Sequence, residues 1–200
     1  MTKFYRFCRG VCKFLFHIAY KTEVYGSENL PESGGYILAS NHKSFFDSPL
    51  IGMTINKQLF FMAKEYLFNI KVLGAIIRKL GAFPVSKGNG EQAILTAIDV
   101  LNKGNILGIF PEGTRIKTDQ LGRFKSGVIV IAAQTGADVI PVALRYERRH
   151  FRRNKAIVSY GTLIKNSDLG IDMSAPRTIR NASTLIKGEI AKQLEDIKCK

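Results

Sequence analysis

Short apolar runs alternate with longer stretches of helical spacing along most of the chain. The runs at residues 36–39, 59–63 and 105–110 have the length of buried strands, whereas apolar positions recur every three or four residues in 91–102 and 176–197. Strands that alternate with helices predict an α/β fold, in which helices flank a mixed central sheet. Further strands are predicted after residues 23 and 81 and over residues 139–145 and 156–161.

Two apolar segments do not reveal their structure from pattern alone. Residues 65–79 look largely helical, and this helix is expected to face the core through Leu67, Ile70, Leu73, Ile76, Ile77 and Leu80. Residues 128–133 have the composition of a strand, but Gly136 is a suitable helix stop and a clear strand follows at once. We therefore interpret residues 128–133 as a buried helix.

The first 22 residues have a pattern of their own. Between Lys3 and Tyr20, apolar residues fall on one side of a helix and cations recur on the other. The segment cannot span a bilayer, because spanning takes about 20 mainly apolar residues and cations recur here. The pattern also argues against a signal peptide, since the segment has no uninterrupted apolar core. Two interpretations remain: an amphipathic helix in the headgroup layer of an anionic membrane, or a helix packed on its own domain. Residues 23–200 would form that domain.

Composition narrows the class of protein. The chain has 200 residues, 46% of them hydrophobic, which is enough for one domain with a sizeable core. A formal net charge of +14 indicates an anionic partner: a nucleic acid, an anionic membrane or a charged substrate. The basic loop 147–155 has no recognisable nucleic-acid reading motif, so we expect no nucleic-acid partner.

The cysteines and histidines indicate neither a disulfide framework nor a metal site. Cys8, Cys12 and Cys199 are too few for such a framework, and no Cys/His spacing resembles a zinc site. We therefore expect a reducing compartment and no metal.

One stretch places a histidine, His42, and a carboxylate, Asp47, five positions apart. Neither a continuous helix nor a strand brings such positions together, but a strand that ends, turns and starts a helix can do so. Ser44 or Ser48 could cap that helix, and Pro49 suits its first position. Asp47 would then orient the imidazole of His42, which would act as a general base. The alternative is a capping aspartate beside an unrelated histidine.

Two loops after predicted strands carry cations. A glycine-rich loop presents Lys87 just before a predicted helix, where backbone N–H groups favour phosphate. The strand at 105–110 runs into a polar loop that contains Glu112, Gly113, Thr114 and Arg115. The guanidinium of Arg115 matches a pair of phosphate oxygens, although Glu112 and Arg115 could instead pair with each other.

Four blocks in this order resemble the glycerolipid acyltransferases, and most closely those of the PlsC type that act on 1-acyl-sn-glycerol-3-phosphate. The blocks are Asn41-His42 with Asp47, the run from Gly81 to Lys87, the run from Phe110 to Arg115, and Val139-Ile140-Pro141-Val142. The resemblance covers residues 25–161. The second block of the family often carries arginine where this chain has Lys87, which keeps the charge but loses the planar fork.

The resemblance implies a glycerol-3-phosphate acyltransferase-like fold and a specific reaction. A fatty acyl group would pass from acyl-CoA or acyl carrier protein to the sn-2 hydroxyl of lysophosphatidic acid, forming phosphatidic acid with no further cofactor. His42 and Asp47 would be catalytic, and Arg115 and Lys87 would hold the acceptor phosphate. Glu112, Gly113 and Thr114 would belong to the same acceptor-binding block. Residues 23–200 would be the acyltransferase domain.

The resemblance also favours the interfacial interpretation of residues 1–22, because lipid substrates do not leave a bilayer readily. We therefore expect a peripheral or monotopic protein with an anionic membrane surface as partner, at the cytoplasmic face of the cell membrane. Three alternatives remain open: an acyltransferase for another lysophospholipid or polar acceptor, a thioesterase or phospholipid hydrolase, and a basic membrane- or nucleic-acid-binding protein without catalysis. Ser44 and Ser86 lack a second base, which argues against a hydrolase triad.

Overall fold

The computed structural model describes residues 1–86, 90–118, 120–150 and 153–198, and within them the chain forms one mixed sheet flanked by helices. The strands are β1 (Tyr20–Tyr25), β2 (Tyr36–Ser40), β3 (Leu59–Lys64), β4 (Ala82–Val85), β5 (Ile106–Ile109), β6 (Asp138–Glu147) and β7 (Asn154–Tyr160). The helices are α1 (Lys3–Ala19), α2 (Asp47–Thr54), α3 (Lys71–Lys79), α4 (Gly90–Asn102), α5 (Gly127–Thr135) and α6 (Pro176–Asp196). The predicted α/β class with a mixed central sheet is confirmed.

The strand order is β1-β7-β6-β2-β5-β3-β4, and only the β6–β7 pair is antiparallel among these neighbours. Strands β2, β3, β4, β5 and β6 therefore run in one direction, and β1 and β7 run in the other. The carboxyl ends of the five parallel strands meet at one edge of the sheet, which is where open α/β sheets place their ligands. Both cation-bearing loops and the His42–Asp47 stretch follow strands that end at this edge.

Strand β2 lies at the centre and is buried on both faces. Ile37 and Ala39 face a core shared with α4, α5 and α6, whereas Tyr36 and Leu38 face a second core shared with α1 and α2. A strand covered on both faces reads as a continuous apolar run rather than an alternating one. That is why the apolar run at 36–39 predicted a buried strand correctly.

The predicted helix at 128–133 is confirmed as part of α5. Its last turn ends at Gly136, which has a φ of 67° and donates its backbone N–H to the Ala132 carbonyl. A positive φ costs glycine little, so Gly136 terminates the helix and lets β6 begin two residues later.

The predicted inward face of residues 65–79 is wrong in part. This segment is a short 3₁₀ helix followed by α3, and Ile70, Leu73 and Ile76 are exposed. Helix α3 lies beside β4, the strand at the edge of the sheet. It packs closely on the preceding 3₁₀ helix through Gly74, where a Cβ atom would lie 2.3 Å from the Phe68 carbonyl oxygen. With its small residue at the contact, the helix turns much of its apolar side away from the core.

Helix α1 is present as predicted, but its packing differs from the pattern. Tyr5 and Phe16 are buried, and the Tyr5 hydroxyl accepts a hydrogen bond from Leu59 N at 3.2 Å. The Phe16 ring meets Phe46 edge to face at 6.1 Å between centroids. Most of the predicted apolar side stays exposed, and we call Phe4, Phe7, Val11, Phe14, Leu15 and Ile18 the exposed stripe of α1. None of the helices in the described residues combines the length and apolar content needed to cross a bilayer.

Strand β1 follows α1 directly and is held at the edge of the sheet by an ion pair. Lys155 on β7 is buried, and its Nζ lies 2.7 Å from Glu23 Oε2. Hydrogen bonding to Lys155 lowers the pKa of Glu23 to about 2. The two residues lie on the paired strands β1 and β7, so this ion pair helps to fix the strand that follows α1.

Glycine is required at position 108 of β5, because a Cβ atom there would lie 2.1 Å from Cε1 of the buried Phe61 ring. We expect Gly108→Ala to lower the free energy of unfolding by about 1–3 kcal/mol, since the ring must move in a packed core. Gly188, exposed within α6 with open space around it, is the matched control. Gly188→Ala should raise the free energy of unfolding by up to about 1 kcal/mol, because alanine favours a helix. Urea unfolding measures both values. An unchanged free energy of unfolding in Gly108→Ala would contradict the close packing.

Candidate active site

The site begins where β2 ends, at Asn41. This side chain is fully buried and makes two hydrogen bonds with the backbone of Leu144 on β6. Its Nδ2 donates to the Leu144 carbonyl at 3.0 Å, and its Oδ1 accepts from Leu144 N at 2.8 Å. The amide thereby continues the pairing of β2 with β6 by one residue and fixes the point at which the chain leaves the sheet.

Residues 42–47, which we call the His42 turn, bring the predicted pair together. His42 Nδ1 lies 2.7 Å from Asp47 Oδ2, and the Asp47 side chain is fully buried. The same oxygen accepts from Lys43 N at 2.7 Å and from Ser44 N at 2.8 Å. An ionised carboxylate can only accept, so Nδ1 of the imidazole donates and Nε2 keeps its lone pair. The pair therefore has the geometry of a general base with its orienting carboxylate.

The start of α2 differs from the prediction. Neither Ser44 nor Ser48 caps the helix, whose N-cap residue is Phe46 with no side-chain cap hydrogen bond. Asp47 is the first helical residue, so Pro49 is the third. The reason is that the Asp47 carboxylate binds the N–H groups of the preceding turn, and this fixes the start of the helix without a serine cap.

Two aromatic rings support the imidazole. His42 stacks on Phe110 with 4.1 Å between centroids and 13° between planes, and Phe110 stacks on Phe61 at 5.5 Å. Phe110 directly follows β5 and Phe61 lies on β3, so two neighbouring strands hold the ring plane. The side chain of His42 remains 21% exposed, which leaves it accessible to a substrate.

Glu112 ties the His42 turn to the loop that follows β5. Its buried carboxylate accepts from His42 N at 2.7 Å and from Gly122 N at 2.7 Å. In return, Ile116 N donates to the His42 carbonyl at 2.9 Å. These contacts brace the histidine from both sides of its backbone. They do not include the ion pair with Arg115 that the sequence left open, and acceptor binding by Glu112 stays a prediction.

The remaining predicted binding residues lie in or near the same loop. The Arg115 guanidinium carbon lies 3.4 Å from the centroid of the Phe45 ring, so its cation stacks on the His42 turn. Gly113 has a φ of 64°, and Thr114 is exposed beside it. Lys87 lies outside the described residues. The structure thus places the Arg115 guanidinium against Phe45 of the His42 turn, and its role in phosphate binding stays a prediction.

Sequence reasoning missed Tyr146, whose hydroxyl donates to Asp47 Oδ1 at 2.8 Å. It lies near the end of β6, 99 positions from the aspartate. Burial and the adjacent Asp47 carboxylate raise the pKa of this phenol above its ordinary value, while a hydrogen bond with Ser44 opposes the shift. The available signal was indirect: a polar aromatic residue at the carboxyl end of a strand parallel to β2.

A cavity of about 540 Å³ adjoins the His42 turn on the β6 side. Its wall includes Ser44, Tyr146 and Leu194. The charged residues that line it are Lys43, Lys117, Arg145, Glu147, Arg148 and Lys198. We call it the basic cavity, because five cations and one carboxylate give it a strong attraction for anions.

Comparison with known proteins agrees with this geometry. The family model described as acyltransferase matches residues 21–145. A 1-acyl-sn-glycerol-3-phosphate acyltransferase of Bacillus subtilis is 37% identical over 141 residues, which cover 70% of this chain and 70% of that protein. A lyso-ornithine lipid O-acyltransferase of Pseudomonas aeruginosa is 31% identical over 54% of this chain and 42% of its own length.

A solved structure shows the same fold. The crystal structure of the 1-acyl-sn-glycerophosphate acyltransferase PlsC from Thermotoga maritima superposes with a TM-score of 0.80 at 25% identity, covering 98% of this chain and 80% of that one. The matched segment of the family model contains the whole His42 turn and the loop that carries Glu112 and Arg115. The chain therefore belongs to the acyltransferase family.

Proposed function

We propose that this protein transfers a fatty acyl group from an acyl thioester to the sn-2 hydroxyl of 1-acyl-sn-glycerol-3-phosphate, forming phosphatidic acid. The observation that carries the proposal is the His42–Asp47 pair at 2.7 Å, with Nε2 of the imidazole making no hydrogen bond to any residue that the structure describes. The relative from Bacillus subtilis is named a 1-acyl-sn-glycerol-3-phosphate acyltransferase, which supports the choice of acceptor. This reaction would supply phospholipid synthesis.

The proposed reaction is a direct transfer. Nε2 of His42 removes the proton from the acceptor hydroxyl while that oxygen attacks the thioester carbonyl carbon. The tetrahedral intermediate then collapses, the carbon–sulfur bond breaks, and the thiolate takes the proton from the imidazolium. Asp47 orients the ring and stabilises the imidazolium charge. The steps use no serine or cysteine nucleophile, so no acyl-enzyme forms.

The acceptor phosphate would bind at Arg115. Its guanidinium stacks on Phe45, which limits its rotamers and presents its N–H groups beside the His42 turn. Lys87 and the loop residues Glu112, Gly113 and Thr114 complete the proposed acceptor site. A second candidate is an acyltransferase for another lysophospholipid or polar acceptor. The similarity to the lyso-ornithine lipid enzyme favours it, because that relative's name gives a different acceptor.

The acyl donor would place its phosphates in the basic cavity. Both candidate donors, acyl-CoA and acyl carrier protein, carry a phosphopantetheine arm that ends in the thioester. Two anionic substrates need two cationic sites, and Arg115 accounts for the first. The basic cavity adjoins the His42 turn, shares Lys43 and Ser44 with it, and is lined as well by Lys117 from the loop that carries Arg115.

The exposed stripe of α1 would bind the membrane that holds the lipid substrate. Phe7 is 70% exposed and Phe14 is 65% exposed, and Lys3, Arg6 and Lys13 lie elsewhere on the same helix. Apolar side chains with neighbouring cations suit the headgroup layer of an anionic leaflet. We place the protein at the cytoplasmic face of the cell membrane as a peripheral or monotopic enzyme.

Removing the proposed base should abolish transfer without unfolding the protein. We expect His42→Ala to lower kcat by about 10²–10⁴-fold, the usual contribution of general-base catalysis. The assay follows thiol release and lipid product with purified protein in detergent, and circular dichroism confirms the fold. His17→Ala is the control, because His17 is exposed on α1 and far along the chain from the His42 turn.

Near wild-type activity in His42→Ala would refute the mechanism. An acceptor panel decides between the two candidate functions, since lysophosphatidic acid should be the preferred acceptor only in the first. Thiol and free fatty acid released without any acceptor would indicate a hydrolase instead.

The donor site has its own test. We expect Arg148→Ala with Lys117→Ala to raise the KM for the thioester donor by about five-fold, because each cation contributes a modest ionic contact to the donor phosphates. The KM for the acceptor should not change. Arg177→Ala with Arg180→Ala removes the same charge from the exposed start of α6 and is the matched control. Equal changes in the donor KM in the two double variants would contradict a site in the basic cavity. Assays with acyl-CoA and with acyl carrier protein show which of the two carriers binds.

Membrane binding is tested by vesicle co-sedimentation. We expect Phe7→Asp with Phe14→Asp to weaken binding to phosphatidylglycerol vesicles by roughly a hundred-fold or more, since burying each phenylalanine contributes about 1.5–3 kcal/mol. Leu95→Asp with Leu185→Asp adds the same two negative charges at exposed apolar residues on α4 and α6 and should have little effect. Undiminished binding of the α1 variant would refute this role of the exposed stripe.

A further inference from the structure

The two oxygens of Asp47 have different surroundings. Oδ2 binds groups of its own turn: the imidazole of His42 and the backbone N–H groups of Lys43 and Ser44. Oδ1 accepts a hydrogen bond from the Tyr146 hydroxyl at 2.8 Å, and this contact comes from a strand far along the chain. Tyr146 therefore connects the carboxylate to β6, whereas the other three partners belong to the His42 turn itself.

A fully buried carboxylate depends on such a donor. Burial takes the charge out of water, and each oxygen left without a donor adds to the cost. The phenol is well suited to this position, because burial and the neighbouring carboxylate raise the pKa of Tyr146. The hydroxyl thus stays protonated and continues to donate throughout the pH range in which His42 would change its charge.

Tyr146 is itself held from a third element. Its ring meets Tyr20 edge to face at 5.8 Å between centroids, and the Tyr20 ring lies 5.5 Å from Phe16 of α1. Strand β6 and this aromatic contact hold the phenol in place. Its hydrogen bond consequently selects one orientation of the carboxylate.

We propose that Tyr146 is a positioning residue, which acts through Asp47 to set the orientation and the basicity of His42. Its role in catalysis rests on the proposed function of His42 as general base. The link from Tyr146 through Asp47 to His42 needs no substrate and can be measured without one.

The charges on Asp47 and on the imidazolium determine in which direction loss of the Tyr146 hydroxyl changes the basicity of His42. Without the Tyr146 hydroxyl, the negative charge of Asp47 is less delocalised into hydrogen bonds and binds an imidazolium more strongly. His42 should then keep its extra proton to higher pH and be a neutral base over a narrower range. Among the described residues, the other ionisable groups in contact with the pair or its partners are Glu112 behind the His42 backbone, Lys43 in the turn, Arg115 on Phe45, and Tyr20 beside Tyr146. The basic cavity beside Tyr146 adds Lys117, Arg145, Glu147, Arg148 and Lys198. None of these changes in a phenylalanine variant of Tyr146.

The first experiment is kinetic. We expect Tyr146→Phe to lower kcat by about 10- to 100-fold, because the carboxylate no longer holds the imidazole in its reacting orientation, with the KM values of donor and acceptor unchanged. The acid limb of the kcat/KM profile should move upward by about one pH unit. Tyr160→Phe is the control, since it removes a buried hydroxyl that hydrogen-bonds Thr54 at 2.6 Å and takes no part in the site.

The second experiment measures His42 directly. In histidine-labelled protein, the His42 ring signals are assigned by their loss in His42→Gln, and their titration is followed by NMR in wild type and in both tyrosine variants. We expect the midpoint to rise in Tyr146→Phe alone.

The outcomes are distinct. A lower kcat with an unchanged His42 titration and an unchanged acid limb would make Tyr146 merely structural and overturn the proposal. Wild-type values of kcat, of the titration midpoint and of the acid limb would overturn it as well. A shifted titration in a protein without acyl transfer would refute the proposed function and leave the link from Tyr146 to His42 intact.

Discussion

The buried carboxylate of Asp47 is the constraint on which the site depends. It gathers four donors: one imidazole, two backbone N–H groups and one phenol. A charge that is removed from water must be hydrogen-bonded on nearly all sides, so the backbone of residues 42–47 has little freedom once Asp47 occupies this position. The tight turn exists because the charge needs those N–H groups, and the histidine is oriented as a result.

Three neighbouring strands each contribute a contact to this turn. The end of β2 is fixed by Asn41, the residue after β5 stacks on the imidazole, and β6 supplies Leu144 and Tyr146. Since β2, β5 and β6 are parallel, their carboxyl ends meet at one edge without any special connection. The topology therefore explains why residues from distant parts of the sequence meet at one histidine.

The sequence predicted those parts of the structure that depend on local pattern. Residues 36–39 formed a strand and residues 128–133 a helix as expected, since continuous burial and a glycine stop are both visible in a short window. The pairing of His42 with Asp47 followed from their spacing and the change from strand to helix. Local sequence was therefore sufficient to predict the contact between the site residues that belong to one turn.

Other features depend on contacts between distant segments. Helix α3 was expected to face the core, but its position beside the edge strand β4 leaves Ile70, Leu73 and Ile76 exposed. Neither predicted serine caps α2, because the Asp47 carboxylate binds the N–H groups of the turn before the helix begins. Tyr146 could not be linked to Asp47 until the order of strands was known. Residue patterns carry no information on which strands become neighbours.

The junction between α1 and β1 has a mechanical consequence. Ala19 ends the helix and Tyr20 begins the strand, so no flexible linker separates them. The Glu23–Lys155 ion pair anchors that strand, and Phe16 touches Phe46 in the His42 turn. The helix therefore cannot swivel independently of the sheet. Any surface that covers its exposed stripe is held at one height and one tilt relative to the imidazole.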